Sequence, residues 1–183
     1  MNRMARISFI SLKWIAQTAP KGALLAIAMC APLLAQSTAN VRFDAEGLAP
    51  RSIEPLTEKT IVRDYAVAWH DLAAALDSSN AGTLSEEFTG FAKDRFVQRI
   101  AQQKQIGIHV RMVDHGHQLK AIFYSTDGAA MQLVDRVQLE IRVFDGSKLL
   151  DSRNGSHEYM VLMTPGADRW YVRDLEEVAP QAP

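Results

Sequence analysis

A chain of 183 residues suits one domain plus a leader, and its single cysteine, Cys30, excludes an intramolecular disulfide framework and a cysteine-rich metal site. Hydrophobic residues at 48% and charged residues at 22% are ordinary for a soluble globular domain. The net charge of −1 hides an asymmetry: Arg3, Arg6, Lys13 and Lys21 are the only charges in residues 1–40, and removing those four from the 20 basic residues leaves 16 against 21 acidic ones, or −5. No basic cluster stands out in that body, which argues against nucleic acid as a partner.

Residues 1–36 read as an export signal. A basic region with a first apolar stretch, Ile7–Leu12, leads through Lys21 and Gly22 into Ala23–Ala35, interrupted only by Pro32. That run is shorter than the roughly 20 apolar residues of a full membrane span. Small residues for cleavage follow around Ala35-Gln36-Ser37 or Ser37-Thr38-Ala39, so the mature chain is expected to begin between Gln36 and Val41. Met29 before Cys30 does not fit a lipoprotein signal. The alternative is an uncleaved inner-membrane anchor, the one case in which the protein meets a membrane. Either way the body is exported, to a periplasmic or extracellular location. Residues 37–56, with Gly47, Pro50, Pro55 and little periodicity, read as a linker.

The domain is expected over 57–178. A first helix is predicted from Thr57 to Asp77, because Ile61, Tyr65, Trp69, Leu72 and Leu76 step by three or four along one face. Ser78-Ser79-Asn80 and Gly82 end it. Thr83 and Glu86 have capping-box spacing and predict a second helical region, in which Phe88, Ala92, Phe96 and Ile100 recur every four; Gly90 is a candidate break and Gly107 a C-cap.

After Gly107 the period changes to two. Ile108, Val110 and Met112 alternate with polar residues, Asp114-His115-Gly116-His117 reads as a tight turn, and Leu119, Ala121 and Phe123 alternate again. Asp127-Gly128 turns the chain into its longest alternating stretch, Ala130–Asp145. Met131, Leu133, Val137, Leu139, Ile141 and Val143 point one way, with Asp135 where a hydrophobe belongs. Leu149–Thr164 is a further long strand, with a bulge expected near Asn154-Gly155. Trp170–Glu177 is the last, and 179–183 is expected to fray as a disordered tail.

Helices followed by hairpin-joined strands define an α+β fold, with N-terminal helices packed on a curved antiparallel sheet whose twisted strands curl into a cone. This order resembles the NTF2-like superfamily, the cystatin-like form that includes nuclear transport factor 2, ketosteroid isomerase, polyketide-cyclase-like proteins and scytalone dehydratase. The resemblance covers Thr57–Glu177 and rests on element order, on the aromatic first helix with Tyr65 and Trp69, and on the closing Trp170-Tyr171-Val172. It is nearest to exported bacterial-type members known by their fold. It implies a pocket between the first helix and the sheet, and a homodimer through the sheet. The superfamily holds isomerases, dehydratases and cyclases beside many binding and assembly proteins, so fold does not choose among them. No catalytic assignment is carried over.

Asp135 is the leading site residue. In a pocket, its carboxyl would be desolvated and fit for general-base or donor work, with Tyr65, Tyr124, His157 or Asp174 as its partner. The structural alternatives are a bulge at Val134–Arg136 that turns it to solvent, or a structural hydrogen bond. His157 is either a proton carrier or a core histidine with one satisfied nitrogen. Tyr65, Trp69, Tyr124, Asp135, Tyr159 and Trp170 are the expected pocket lining, with Trp69 also suited to core. His115 and His117 could ligate a metal if extended, but the glycine between them favours a surface turn. His70-Asp71 reads as a solvated patch. No nucleophile elbow, phosphate loop or dinucleotide fingerprint is present.

The expectation is a non-catalytic exported module that binds a small apolar ligand or a protein partner and needs no cofactor or metal. Two alternatives stand: a cofactor-independent isomerase or lyase with Asp135 as base and Tyr65 or His157 as donor, and, with a retained leader, an anchored periplasmic subunit of a secretion-type complex.

Overall fold

The computed structural model describes residues 39–178; the expected signal and the tail 179–183 lie outside the described residues. The elements are β1 (Val41–Asp44), α1 (Pro55–Ser78), a 3-10 turn (Ala81–Ser85), α2 (Gly90–Gln105), β2 (Ile108–Tyr124), β3 (Met131–Asp145), β4 (Lys148–Pro165) and β5 (Trp170–Glu177).

Helix α1 opens on Pro55, whose missing N–H is of no consequence in a first turn, and has Glu58 beside the positive end of the helix dipole. Ile61, Tyr65, Trp69, Leu72 and Leu76 are all buried, so the predicted face is the packed one. The helix stops at Ser79, held at φ 49° with its N–H bonded to the Ala75 carbonyl. The capping box does not form. Asn80 caps the 3-10 turn instead, accepting from the Gly82 N–H, and the Thr83 hydroxyl donates back to the Asn80 carbonyl. Helix α2 begins at Gly90, and its Ala92, Phe96 and Ile100 are buried. Among the described residues no helix is long and apolar enough to cross a membrane.

The sheet runs in the order β1-β2-β3-β4-β5, with β1 parallel to β2 and every other pair antiparallel. The fold is α+β, but the curved, cone-shaped antiparallel sheet is not what forms. The sheet is open and mixed, and β1 and β5 remain separate edges. Twist in long strands does not bring the edges of only five strands together. The parallel edge strand comes from within the segment read as a linker, where Val41 and Phe43 alternate with Arg42 and Asp44 over only four residues. Val41 sits beside His117 and Asp44 beside Lys120.

Two further expectations are corrected. The Asp114–His117 turn is absent: β2 is one strand of 17 residues. Its register on β3 passes from Asp114↔Leu139 to His117↔Val137, one residue in excess, and Gly116 at φ +119° absorbs the bulge. The bulge shifts the inward row of β2 from Val110 and Met112 to His117, Leu119 and Ala121. In β4 the register is continuous through Asn154-Gly155, and the extra residue is Leu150, between Val143↔Asp151 and Phe144↔Leu149. Strand β3 keeps its inward row unbroken from Met131 to Leu139, Asp135 included.

Candidate functional site

Asp135 stands in the middle of β3, fully buried, directly across from Tyr159 of β4. The unbroken register rules out a bulge that would turn it to solvent. Its Oδ2 accepts a hydrogen bond from the Tyr65 hydroxyl of α1 at 2.8 Å, and His117 Nδ1 of β2 lies 2.7 Å from the same oxygen. Tyr65 and His117 are as buried as the carboxylate. The rings enclose the cluster: Tyr65 is edge-on to His117 at 5.9 Å, and the Trp69 ring lies 4.8 Å from His117.

A buried carboxylate is costly unless donors and charge compensate it. Here three elements converge on one oxygen. The far nitrogen of His117, Nε2, sits 3.8 Å from Asp114 Oδ1, a carboxylate at the start of the β2 bulge that reaches towards solvent. His117 Nε2, Asp135 Oδ1 and Trp69 Nε1 have no hydrogen-bond partner among the described residues. Burial, and then the charge of Asp135, hold the Tyr65 hydroxyl well above its ordinary titration range, so it remains a donor. Tyr159 is likewise held in its protonated form by burial and then by Glu177.

Every side chain of this cluster is buried, and a cavity of about 210 Å³ opens beside it, between the helices and the sheet. Trp69 is the shared wall: it packs on His117 and also lines the cavity, facing Tyr159 at 5.4 Å. Leu72, Phe96, Met112 and Leu175 give the cavity an apolar body. Its exposed rim carries Arg95, Arg99, Glu176 and Glu177. Arg95 is engaged with the Leu175 carbonyl at 2.8 Å and with Asp174 at 3.3 Å, and Glu177 with His157 at 2.7 Å. A larger hollow of about 520 Å³ lies over Arg42, Lys120, Val134 and Arg136, but its charges are largely spoken for by Lys120–Asp44 and Arg136–Glu158 pairs.

The structure therefore brings together some of the residues singled out from the sequence and separates others. Asp135 and Tyr65 share a hydrogen bond, and Trp69 and Tyr159 line the cavity. Tyr124 and Trp170 are buried against each other at 6.2 Å, away from that cavity, with the Arg51 guanidinium over the Tyr124 ring. His157 bonds to Glu177 and Asp174 to Arg95, so neither serves Asp135. His115 is exposed while His117 is buried, so they do not form a pair, and among the described residues no three His, Cys, Asp or Glu side chains gather at a metal-sized site. His117 went unread as a partner of Asp135. The available signal was Gly116 inside a period-two stretch, which marks a bulge as well as a turn. Asp64 also went unread: buried on α1, it accepts the Trp170 N–H at 2.7 Å and fixes the start of β5.

No family model and no curated protein matches the chain. Solved structures do. The intermembrane space region of the chloroplast protein ARC6 matches with a TM-score of 0.60 at 13% identity, over 71% of this chain and 99% of that one. A periplasmic fragment of TraM gives 0.48 at 13% identity, over 63% and 95%. ActVI-ORFA from Streptomyces coelicolor gives 0.47 at 11% identity, over 68% and 98%. The first carries the likeness, and it is one of fold.

Proposed function

We propose that this chain is an exported, non-catalytic binding module of NTF2-like form that holds a small apolar ligand in the cavity walled by Trp69 and Tyr159. One observation carries the reading: the acid/base groups Tyr65, Asp135 and His117 are sealed from solvent, whereas the neighbouring apolar cavity opens at a charged rim. A general base has to reach the proton it removes, and Asp135 is already bonded on one side and walled in on the other. The cluster instead stiffens the floor of the cavity by tying α1, β2 and β3 to one oxygen. At about 210 Å³ the cavity is smaller than the roughly 300–1,000 Å³ of drug-sized sites, so the occupant is a compact apolar group.

Export is proposed from the basic and apolar texture of residues 1–36. The ARC6 structure is that of an intermembrane space region.

Native mass spectrometry of the full chain, before and after denaturation, tests the reading. The expected result is an extra mass released on unfolding and retained less by Leu175→Trp, which fills the cavity. A clean protein mass, together with no thermal stabilisation by small apolar probes, would overturn it.

A further inference from the structure

Strand β4 is longer than its neighbour. Pairing with β5 begins only at Tyr159↔Glu177, and the last bond across that side is from the Val178 N–H to the Glu158 carbonyl at 2.8 Å. From Lys148 to His157 the strand has β3 on one side and, among the described residues, no strand on the other. Backbone groups alternate in direction along a strand. Since the Glu158 carbonyl faces the β5 side, Ser156, Asn154 and Ser152 direct their N–H and C=O groups to the open side too. The register on β3 is continuous from Asp151 to Tyr159, so the alternation holds over that run.

Such an edge is a template for another strand unless something blunts it. The stretch 148–157 contains no proline, and its one bulge, at Leu150, lies at the far end. Pro180 and Pro183 lack N–H groups and fit the tail poorly for this edge. The side chains on the open stretch are self-complementary. Asp151 and Arg153 are bonded to each other at 2.8 Å, with side chains 44% and 81% exposed. They flank Ser152 symmetrically.

We propose that the open stretch of β4 is a self-association edge, at which a second copy of this chain pairs antiparallel about a two-fold axis through Ser152. Ser152 then meets its own copy as a hydrogen-bonded pair. Asp151 stands opposite the second copy's Arg153, and Arg153 opposite the second copy's Asp151, in the closer non-hydrogen-bonded pairs. Leu149 and Leu150, each half exposed, lie at the bulged end of the pairing and gain cover from the second copy. The interface is isologous and closes at two subunits. It lies at a strand edge, not on a sheet face, and does not depend on the ligand reading.

Sedimentation and oxidative cross-linking of the full chain in a Cys30→Ser background test the proposal. Ser152→Cys is expected to link into covalent dimers, because facing residues of such a pair lie about 5.5 Å apart, within disulfide reach. Asn154→Cys is expected not to link, since its two copies would stand on the order of 14 Å apart. Arg153→Asp sets like charges opposite one another and should weaken the dimer about tenfold. The swap Asp151→Arg with Arg153→Asp should restore it. A chain that stays monomeric at on the order of 100 µM, equal linking at both cysteines, or no effect of Arg153→Asp would overturn the proposal.

Discussion

The Tyr65 hydroxyl and the His117 imidazole meet on one and the same oxygen of Asp135, at 2.8 and 2.7 Å. Tyr65 is 70 residues from Asp135 in the chain and His117 is 18, so the cluster pins a helix to two strands inside the core. Its removal should be felt in the stability of the whole domain.

Asp135→Asn keeps the shape and one acceptor but removes the charge that faces His117. Weakening a buried acceptor that Tyr65 and His117 both meet is expected to cost about 1–3 kcal/mol. Urea unfolding should show that loss, while occupancy of the Trp69–Tyr159 cavity, read by native mass spectrometry, stays unchanged. Loss of occupancy at unchanged stability would instead mean that Asp135 touches the ligand.

Tyr65→Phe removes a donor to a charged acceptor and is expected to cost about 1.5–3 kcal/mol. The pH dependence follows from the same bond. The folded-state value of Tyr65 is raised above its ordinary 10.0, chiefly by burial and then by Asp135. Its contribution is complete below pH 10 and is lost as pH rises beyond it, because the unfolded chain releases the proton first. Stability of the parent chain should fall with a steeper alkaline slope than that of Tyr65→Phe, measured by thermal melts between pH 9 and 11.

Asp64→Ala leaves the Trp170 N–H without its acceptor and the Arg63 guanidinium without its partner. A loss of about 1–3 kcal/mol is expected. Amide exchange should quicken first at Trp170, since that bond anchors the start of β5. Uniform loss of protection across the sheet would argue against a local role.

Gly116→Ala tests the bulge. An added Cβ would lie 3.6 Å from the Asn40 carbonyl oxygen, an ordinary contact, so the penalty is conformational. A side chain at φ +119° should cost about 1–3 kcal/mol. His117 should then lose its fixed ring environment, visible as a shift of its imidazole signals by NMR.

Much of this architecture is written in simple periods. The three-and-four spacing from Ile61 to Leu76 marks the buried face of α1, and the alternation from Met131 to Val143 marks the inward row of β3 with Asp135 in it. What escaped was short or set by distant partners. The four residues of β1 alternate, Val41 and Phe43 against Arg42 and Asp44, but so brief a run does not name its partner, which is β2. Glycine in a strand permits a turn or a bulge alike, and the choice at Gly116 is made by partners far away in sequence. Because the sheet order follows from such pairings, its open, mixed form could not be read from strand texture.

The parallel pairing of β1 sets a limit on N-terminal trimming. His117, whose ring holds Asp135, also gives its backbone N–H to the Asn40 carbonyl at 2.8 Å. A protease that cuts ahead of Asn40 leaves that joint whole; one that removes Asn40 to Asp44 strips the strand off β2 and lays bare the backbone behind the buried cluster. A cut in this region therefore leaves β2 covered only where it falls ahead of Asn40.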